Sequence, residues 1–280
     1  MVYEWTTAKF SNKRLEIENG GGYQSRMDCI IYLLIEAYKR VKDKLPDTDV
    51  EIALTSWDMP WQNPFPHIPQ ERVYYMSETR DRAHTCFPCF SIVNWPEAQN
   101  YDTDELIKQI HKAGDIPPED DRAFWTGALC THPNRNILNK LGNENPDKIL
   151  CIPMVWLNNG STPSHFISLP DHAKYAYLID MEGSAYSARL VYLAHHKRPL
   201  FIQDRPYWDW VTANLQPNVH YVPVKRDLSD LLEKIEYAKA HPQEMQQMVE
   251  ARLQFARENI SVDKGIEQAI KVVFQTHNMD

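Results

Sequence analysis

The chain contains no run of about eighteen apolar residues and no charged-then-apolar leader after Met1, so neither a membrane-spanning helix nor a signal peptide is readable, and a cytoplasmic protein is expected. It also lacks an excess of positive charge. With 30 Lys and Arg against 38 Asp and Glu, a formal net charge of −8 and basic residues dispersed along the chain, it offers no field for a nucleic acid or an anionic membrane surface. Cysteine is scarce and odd in number, five in 280 residues, which suits a reducing compartment better than a disulfide framework. Internal repeats and low-complexity tracts are absent as well.

What is present is enough apolar material for a sizeable core. Hydrophobic residues make up 43% of the chain, and its length allows one large domain or two modest ones. Eight Trp, 14 Tyr and nine Phe supply faces on which sugar rings stack, although most aromatics in a globular chain are core. The opening KRLEIENGGGYQSRMD reads as a short strand, a glycine turn and a helix over 24–44 whose Ile30, Leu33, Leu34, Ala37 and Val41 share one face. A strand over 50–55, a proline-rich loop over 57–69, short strands near 72–76 and 90–93 and a helix over 103–113 follow. The acidic run DIPPEDD after Gly114 is the expected domain boundary. Beyond it, strands at 122–126, 149–156, 175–181, 200–203 and 220–222 alternate with helices at 134–141, 185–195, 207–215 and 228–240. That order builds a parallel sheet with helices on both faces. Two amphipathic helices, 243–259 and 262–276, end the chain.

The most informative stretch is KYAYLIDMEGSAYSARLVYL at 174–193. An apolar strand runs into Gly183 and then into a helix whose first two turns carry Ser184, Ser187 and Arg189. A strand-to-helix turn aims free N–H groups and the positive end of the helix dipole at one point, and an Arg in the second turn adds a bidentate guanidinium. This is the layout of a phosphate seat. The same glycine also suits plain turn chemistry, and Arg189 an exposed pairing with Glu182. Two acidic pairs have the form of metal ligands. Asp102-Thr-Asp104 opens a helix, where an Asp cap is the better reading; Asp180-Met-Glu182 follows a strand and is the stronger metal candidate. Cys86-Phe-Pro-Cys89 has redox spacing without a thioredoxin-like pattern or a second pair for zinc, so two buried thiols are expected.

The stretch just quoted, together with HYVPVKRDLSDLLEKIEYAKAH at 220–241, closely resembles the CAP10-like glycosyltransferases of family 90, which include the Rumi or POGLUT protein O-glucosyl- and O-xylosyltransferases. The resemblance is clear over 169–258 and rests on a KYxYL strand, a G-x-x-x-S-x-R turn and an HYxPVxxDLSDL segment in the family's order and spacing. DVEIALTSWDMP at 49–60 and AFWTGALCTHPNR at 123–135 extend it upstream. It implies an α/β GT-B fold of two Rossmann-like domains facing a central cleft: 1–118 as the acceptor-side domain carrying the base, 119–258 as the nucleotide-sugar domain, and 259–280 as a helix packing back on the first. It also implies an inverting transferase that moves xylose or glucose from a UDP-sugar to a hydroxyl of a glycan or glycoprotein, with no metal or other cofactor. The chain also resembles short, leaderless members encoded by chloroviruses, xylosyltransferases of capsid glycans, and this tips the expected donor toward UDP-xylose. Secretory-pathway members carry a leader and often a retrieval signal, whereas this chain ends in HNMD.

Such a transfer needs one base to take the acceptor proton and cations to hold the leaving diphosphate, and its transition state resembles an oxocarbenium ion. Carried over residue by residue, the resemblance makes Asp58 the base, just past the strand 50–55, where open α/β sheets place their ligand crevice. Gly183, Ser184, Ala185, Tyr186, Ser187 and Arg189 match the donor turn, and Gly127, Thr131 and Arg135 a second donor loop. Trp57 and Trp61 flank the base and are the expected acceptor platforms. Many relatives carry Arg immediately before the loop glycine, where this chain has Thr126, so Arg135 or Lys174 must supply that cation. Two rival readings remain: a metal-dependent GT-A transferase using Asp180 and Glu182, and a nucleotide-sugar or glycan-binding module without catalysis.

Overall fold

The computed structural model describes residues 5–11, 14–21, 23–45, 49–60, 63–157 and 162–275. The strands of its two main sheets are β1 (Trp5–Ser11), β2 (Arg14–Asn19), β3 (Val50–Thr55), β4 (Val73–Tyr74), β5 (Asp120–Ala128), β6 (Ile149–Met154), β7 (Tyr175–Asp180), β8 (Leu200–Gln203) and β9 (Val222–Val224). The longer helices are α1 (Gln24–Val41), α2 (Thr103–Gly114), α3 (Pro133–Glu144), α4 (Leu231–Ala240), α5 (Pro242–Asn259) and α6 (Val262–Ala269). The chain divides into two units, one of Met1–Trp95, Pro206–Ala213 and Ile260–Asp280, the other of Pro96–Arg205 and Asn214–Asn259. Helix α2 and the acidic run after it therefore lie in the second unit, whereas the sequence places the boundary within that run, at 118.

In the first unit the sheet order is β2-β1-β3-β4. β1 runs antiparallel to β2 and β3, with Phe10 opposite Leu15 and Val50, and only β3 and β4 are parallel. This mixed sheet differs from the Rossmann-like one expected here. The physical reason is that Ser11 pairs with Arg14, and so short a connection permits only antiparallel pairing. α1 buries Ile30, Leu33, Leu34, Ala37 and Val41, the face its periodicity predicts. α6 packs on it closely: a Cβ at Gly265 would stand 3.3 Å from Ile92 and 3.4 Å from Leu33. Tyr74 Oη donates to the Val272 carbonyl at 2.9 Å, and the Gln268 amide donates to the Cys86 carbonyl at 3.1 Å.

Two expected elements did not form. Residues 90–93 are not a strand but the 3₁₀ turn Phe90–Ile92, whose three residues are all buried, so there was no alternation for a half-buried strand to use. Residues 207–215 are not a helix. Tyr207–Trp208 pairs antiparallel with Glu78–Thr79, and the buried Asp209 carboxylate takes the N–H groups of Val211 and Thr212 at 3.0 Å each, a side-chain bond that competes with helix formation.

The second unit carries an all-parallel sheet in the order β9-β8-β7-β5-β6, as the alternation of elements predicts. From β5 the chain moves outward to β6, then returns to the other side of β5 to lay down β7, β8 and β9. The direction of winding reverses between β5 and β7. One face is covered by α3 through Leu138, by α4 through Leu231, Ile235 and Ala238, and by α5 through Met245 and Met248, all packed on Trp125, Ile179, Met181 and Phe201. Helices on a parallel sheet explain why strands such as LFIQ are buried at every position.

Candidate functional site

Open parallel sheets present their ligand crevice at the carboxyl ends of the strands that flank a winding reversal. Here those strands are β5 and β7, and both end in polar clusters. β7 ends at Asp180, which is fully buried. Its carboxylate accepts from Ser187 Oγ at 2.7 Å and Arg205 Nη2 at 2.6 Å, with Arg189 Nη2 at 3.8 Å. The Gly183 N–H donates to the Tyr186 carbonyl at 2.9 Å. A Cβ at 183 would fall 2.5 Å from that same oxygen, so only glycine closes the turn.

The helix expected over 185–195 is confined to Leu190–Leu193. Ser187 is drawn inward to Asp180 and the Gly183 turn bond replaces a first helical turn, so the expected seat at a helix N-terminus is absent. Ser184 is exposed, while Ala185, Tyr186 and Ser187 are buried. Arg189 lies between the ends of the two strands: its Nη1 donates to the Thr126 carbonyl at 2.6 Å, tying the ends of β5 and β7 together. Burial lowers its pKa from the ordinary guanidinium value, with Asp180 opposing.

Arg135, in the first turn of α3, donates Nε to the Glu182 carbonyl at 2.9 Å and Nη1 to the Ala128 carbonyl at 3.0 Å, and lies 5.5 Å over the Trp125 ring. Burial, then the neighbouring Arg189, push its guanidinium down to about 10. The buried Glu182 carboxylate accepts from the Asn134 amide at 2.8 Å and from Arg226 at 3.3 Å through each oxygen. His132 Nδ1 accepts the Asn134 N–H at 3.2 Å, capping α3, and stands 3.4 Å from Glu182 Oε1. Burial lowers the His132 pKa from its ordinary value, with Glu182 opposing. Gln203 ties β8 to the turn, accepting the Glu182 N–H at 3.2 Å and donating to the Arg226 carbonyl at 2.7 Å. Three guanidinium groups, those of Arg189, Arg205 and Arg226, thus face the two carboxylates, and a fourth, that of Arg135, is held beside them by the Glu182 and Ala128 carbonyls; four cations against two carboxylates leave a surplus of two positive charges at the β5/β7 reversal.

The second loop is formed as well. Gly127 is buried near the end of β5, where a Cβ would meet the Trp125 ring at 2.7 Å, and Thr131 closes the 3₁₀ turn Leu129–Thr131. Thr126 donates Oγ1 to the Ile152 carbonyl at 2.8 Å. Of the two cations expected to compensate for Thr126, Arg135 lies in the cluster and Lys174 does not. Lys174 pairs with Asp171 at 2.9 Å just before β7 begins, about 20 Å along the strand from Asp180 at ~3.3 Å per residue. Arg205, Arg226, His132 and Asn134 escaped the sequence analysis. Position could have found the two arginines, since each follows the carboxyl end of a parallel strand, β8 or β9.

In the first unit, Asp58 follows β3 by three residues. The Trp57 N–H donates to Thr55 Oγ1 at 3.2 Å, and the Ser77 hydroxyl donates to the Asp58 carbonyl. Arg26 Nη1 donates to Asp58 Oδ1 at 3.2 Å, and the Asp58 side chain keeps 25% of its surface exposed. Trp57 is exposed; Trp61 lies outside the described residues. Among the described residues no three His, Cys, Asp or Glu side chains are grouped as metal ligands. Asp102 caps α2, accepting the Glu105 N–H at 3.0 Å, and Cys86 and Cys89 are buried thiols outside any disulfide, the first pushed up by burial and by Asp209.

The model of the family described as glycosyl transferase family 90 matches residues 8–275. Protein O-glucosyltransferase 2 of Danio rerio is 28% identical over 268 residues, 90% of this chain and 51% of that protein. Protein O-glucosyltransferase 1 of Homo sapiens is 26% identical over 278 residues, 92% of this chain and 68% of that protein. The chain thus spans about half to two thirds of the length of these relatives. A crystal structure of a glycosyltransferase from Rickettsia africae ESF-5 aligns with 76% of this chain and 59% of its own at 13% identity and a TM-score of 0.43.

Proposed function

This chain belongs to glycosyl transferase family 90, and on that premise we propose that it is an inverting GT-B transferase moving glucose or xylose from a UDP-sugar to a hydroxyl of a glycan or glycoprotein. The observation that supports the reading most is the surplus of two positive charges at the β5/β7 reversal. A sugar diphosphate brings two negative charges, and more charge develops on the leaving oxygen as the glycosidic bond breaks. Guanidinium groups that are already desolvated and fixed stabilise that charge without reorganising. In this reading Arg189 and Arg135 hold the diphosphate, and the turn Gly183 to Ser187 with Gly127 and Thr131 shapes the donor site. Asp58 takes the proton of the acceptor hydroxyl, whose oxygen bonds to the anomeric carbon while UDP departs with the electron pair of the broken bond. Trp57 and Trp61 support the acceptor sugar.

The diphosphate charge is assigned to guanidinium groups and not to a metal ion, since Asp180 and Glu182 are both engaged by arginines. Glucose is supported by the names of the relatives, and xylose by the resemblance to the short viral members. The test is UDP release from UDP-glucose and from UDP-xylose in excess EDTA, with UDP affinity followed by calorimetry. We expect release by the wild type, and in Asp58→Asn a fall of about two orders of magnitude or more, the usual scale for loss of a general base, with UDP still bound. Release that requires manganese would favour a GT-A reading through Asp180 and Glu182. Tight UDP binding with no turnover would favour the binding module.

A further inference from the structure

We infer that Arg26 is a positioning residue for proton transfer at Asp58, an inference that rests on Asp58 being the base. Arg26 sits in the first turn of α1, where the helix dipole already concentrates positive charge. That turn contains no acidic residue to offset it. A cation placed against the local rule at a helix start needs a compensating partner, and sites where local rules are broken are where function is expected. The partner is Asp58.

The guanidinium is also held in place. It lies 4.5 Å from the centre of the Tyr23 ring and 4.7 Å from that of Phe90, two cation–π contacts that fix its plane. From there Nη1 donates to Oδ1 of Asp58, leaving Oδ2, which has no partner among the described residues, as the oxygen to receive an acceptor hydroxyl. Ser77 anchors the main chain of the same residue through the Asp58 carbonyl. Asp58 is therefore tethered at its backbone by Ser77 and at its carboxylate by Arg26. A base must present a lone pair to the proton within hydrogen-bond reach, and a carboxylate free to swing spends little time so aligned.

The experiment compares wild type, Arg26→Ala, Arg26→Lys, Asp58→Asn and the Arg26→Ala/Asp58→Asn double variant by UDP release from UDP-glucose and UDP-xylose, alongside melting temperature. Arg26→Ala should lower kcat by about tenfold to a hundredfold, the scale of a misaligned catalytic group, with donor KM and melting temperature held. Arg26→Lys should recover part of the loss, since an ammonium reaches the same oxygen but lacks the planar fork and the stacking. In the Asp58→Asn background Arg26→Ala should change the rate by less than about twofold, because residues that act as a unit are non-additive. Wild-type kcat in Arg26→Ala beside a crippled Asp58→Asn overturns the inference alone. So does an equal loss in both backgrounds, or a loss that follows a lowered melting temperature and that Lys does not restore. Full activity in Asp58→Asn, or a wild type that releases UDP from neither donor, overturns the reading of the base and this inference with it.

Discussion

Asp180 reads one way from its chain neighbours and another from its neighbours in space. In the sequence it is half of an Asp-x-Glu pair with the look of a metal site. In the structure it is the counter-ion of Arg205, whose side chain is 1% exposed. Removing one partner of a buried pair strands the other's charge, at a cost of about 3–5 kcal/mol. Asp180→Asn is therefore expected to be destabilised by about that amount in urea unfolding; a change within about 0.5 kcal/mol, the scale of a surface substitution, would show that Arg205 finds another partner. That Gly183, Arg189 and Arg135 gather at the ends of β5 and β7 was legible, because motif and position both pointed there. Ser187 was legible as part of the turn, but its direction was not, since the pull of a buried carboxylate seven residues back leaves no local signature.

At the scale of elements, local signals located α2 and misjudged the segment after β7. Asp102 followed by Thr103 and the apolar positions Leu106 and Ile110 is a capped amphipathic helix in sequence and in structure. Asp102→Ala should cost about 1 kcal/mol in thermal or chemical unfolding, the usual loss for an N-cap, and leave UDP affinity unchanged. A matching loss of affinity would mean that α2 communicates with the donor turn. Residues 185–195 carry helix-like spacing, yet only Leu190–Leu193 is helical, because the Gly183–Tyr186 bond and the Ser187–Asp180 bond satisfy the polar groups that a first turn would otherwise have used. Tertiary hydrogen bonds outweighed a propensity worth tenths of a kcal/mol per residue.

For the molecule as a whole, the second unit encloses histidines that the proposed chemistry does not use. Burial pushes His172 and His195 down to about 3 and His196 well below its ordinary value. The neighbouring cations Arg189, Arg252, Arg257 and Arg198 act in the same direction, and Asp171 opposes weakly at His172. Both ring nitrogens of His196 lack a hydrogen-bond partner among the described residues. Below about pH 6.5 the unfolded chain protonates these rings while the folded chain does not, so their contribution to stability is complete above that pH and is lost as the pH falls toward 3. Each fully differential histidine removes about 1.4 kcal/mol per pH unit. The melting temperature should therefore drop steadily from pH 6.5 to 4.5; a flat profile over that range would show that the rings are hydrated or paired in solution.

The sequence by itself determined the parallel sheet of the second unit, the α1 face, the turn at Gly183 and the family, because each rests on periodicity, glycine sterics or a motif with fixed spacing. Only the tertiary structure decided that the first sheet is mixed, that Arg205 and Arg226 join the cluster at the β5/β7 reversal, that Lys174 is at the wrong end of β7, and that Arg26 meets Asp58. These pairings join residues far apart in the chain, Arg26 with Asp58 across 32 positions and Arg189 with Thr126 across 63. No local rule carries them: which charges converge is set by the order in which strands are laid into a sheet, and that order is fixed by burial of the sheet as a whole.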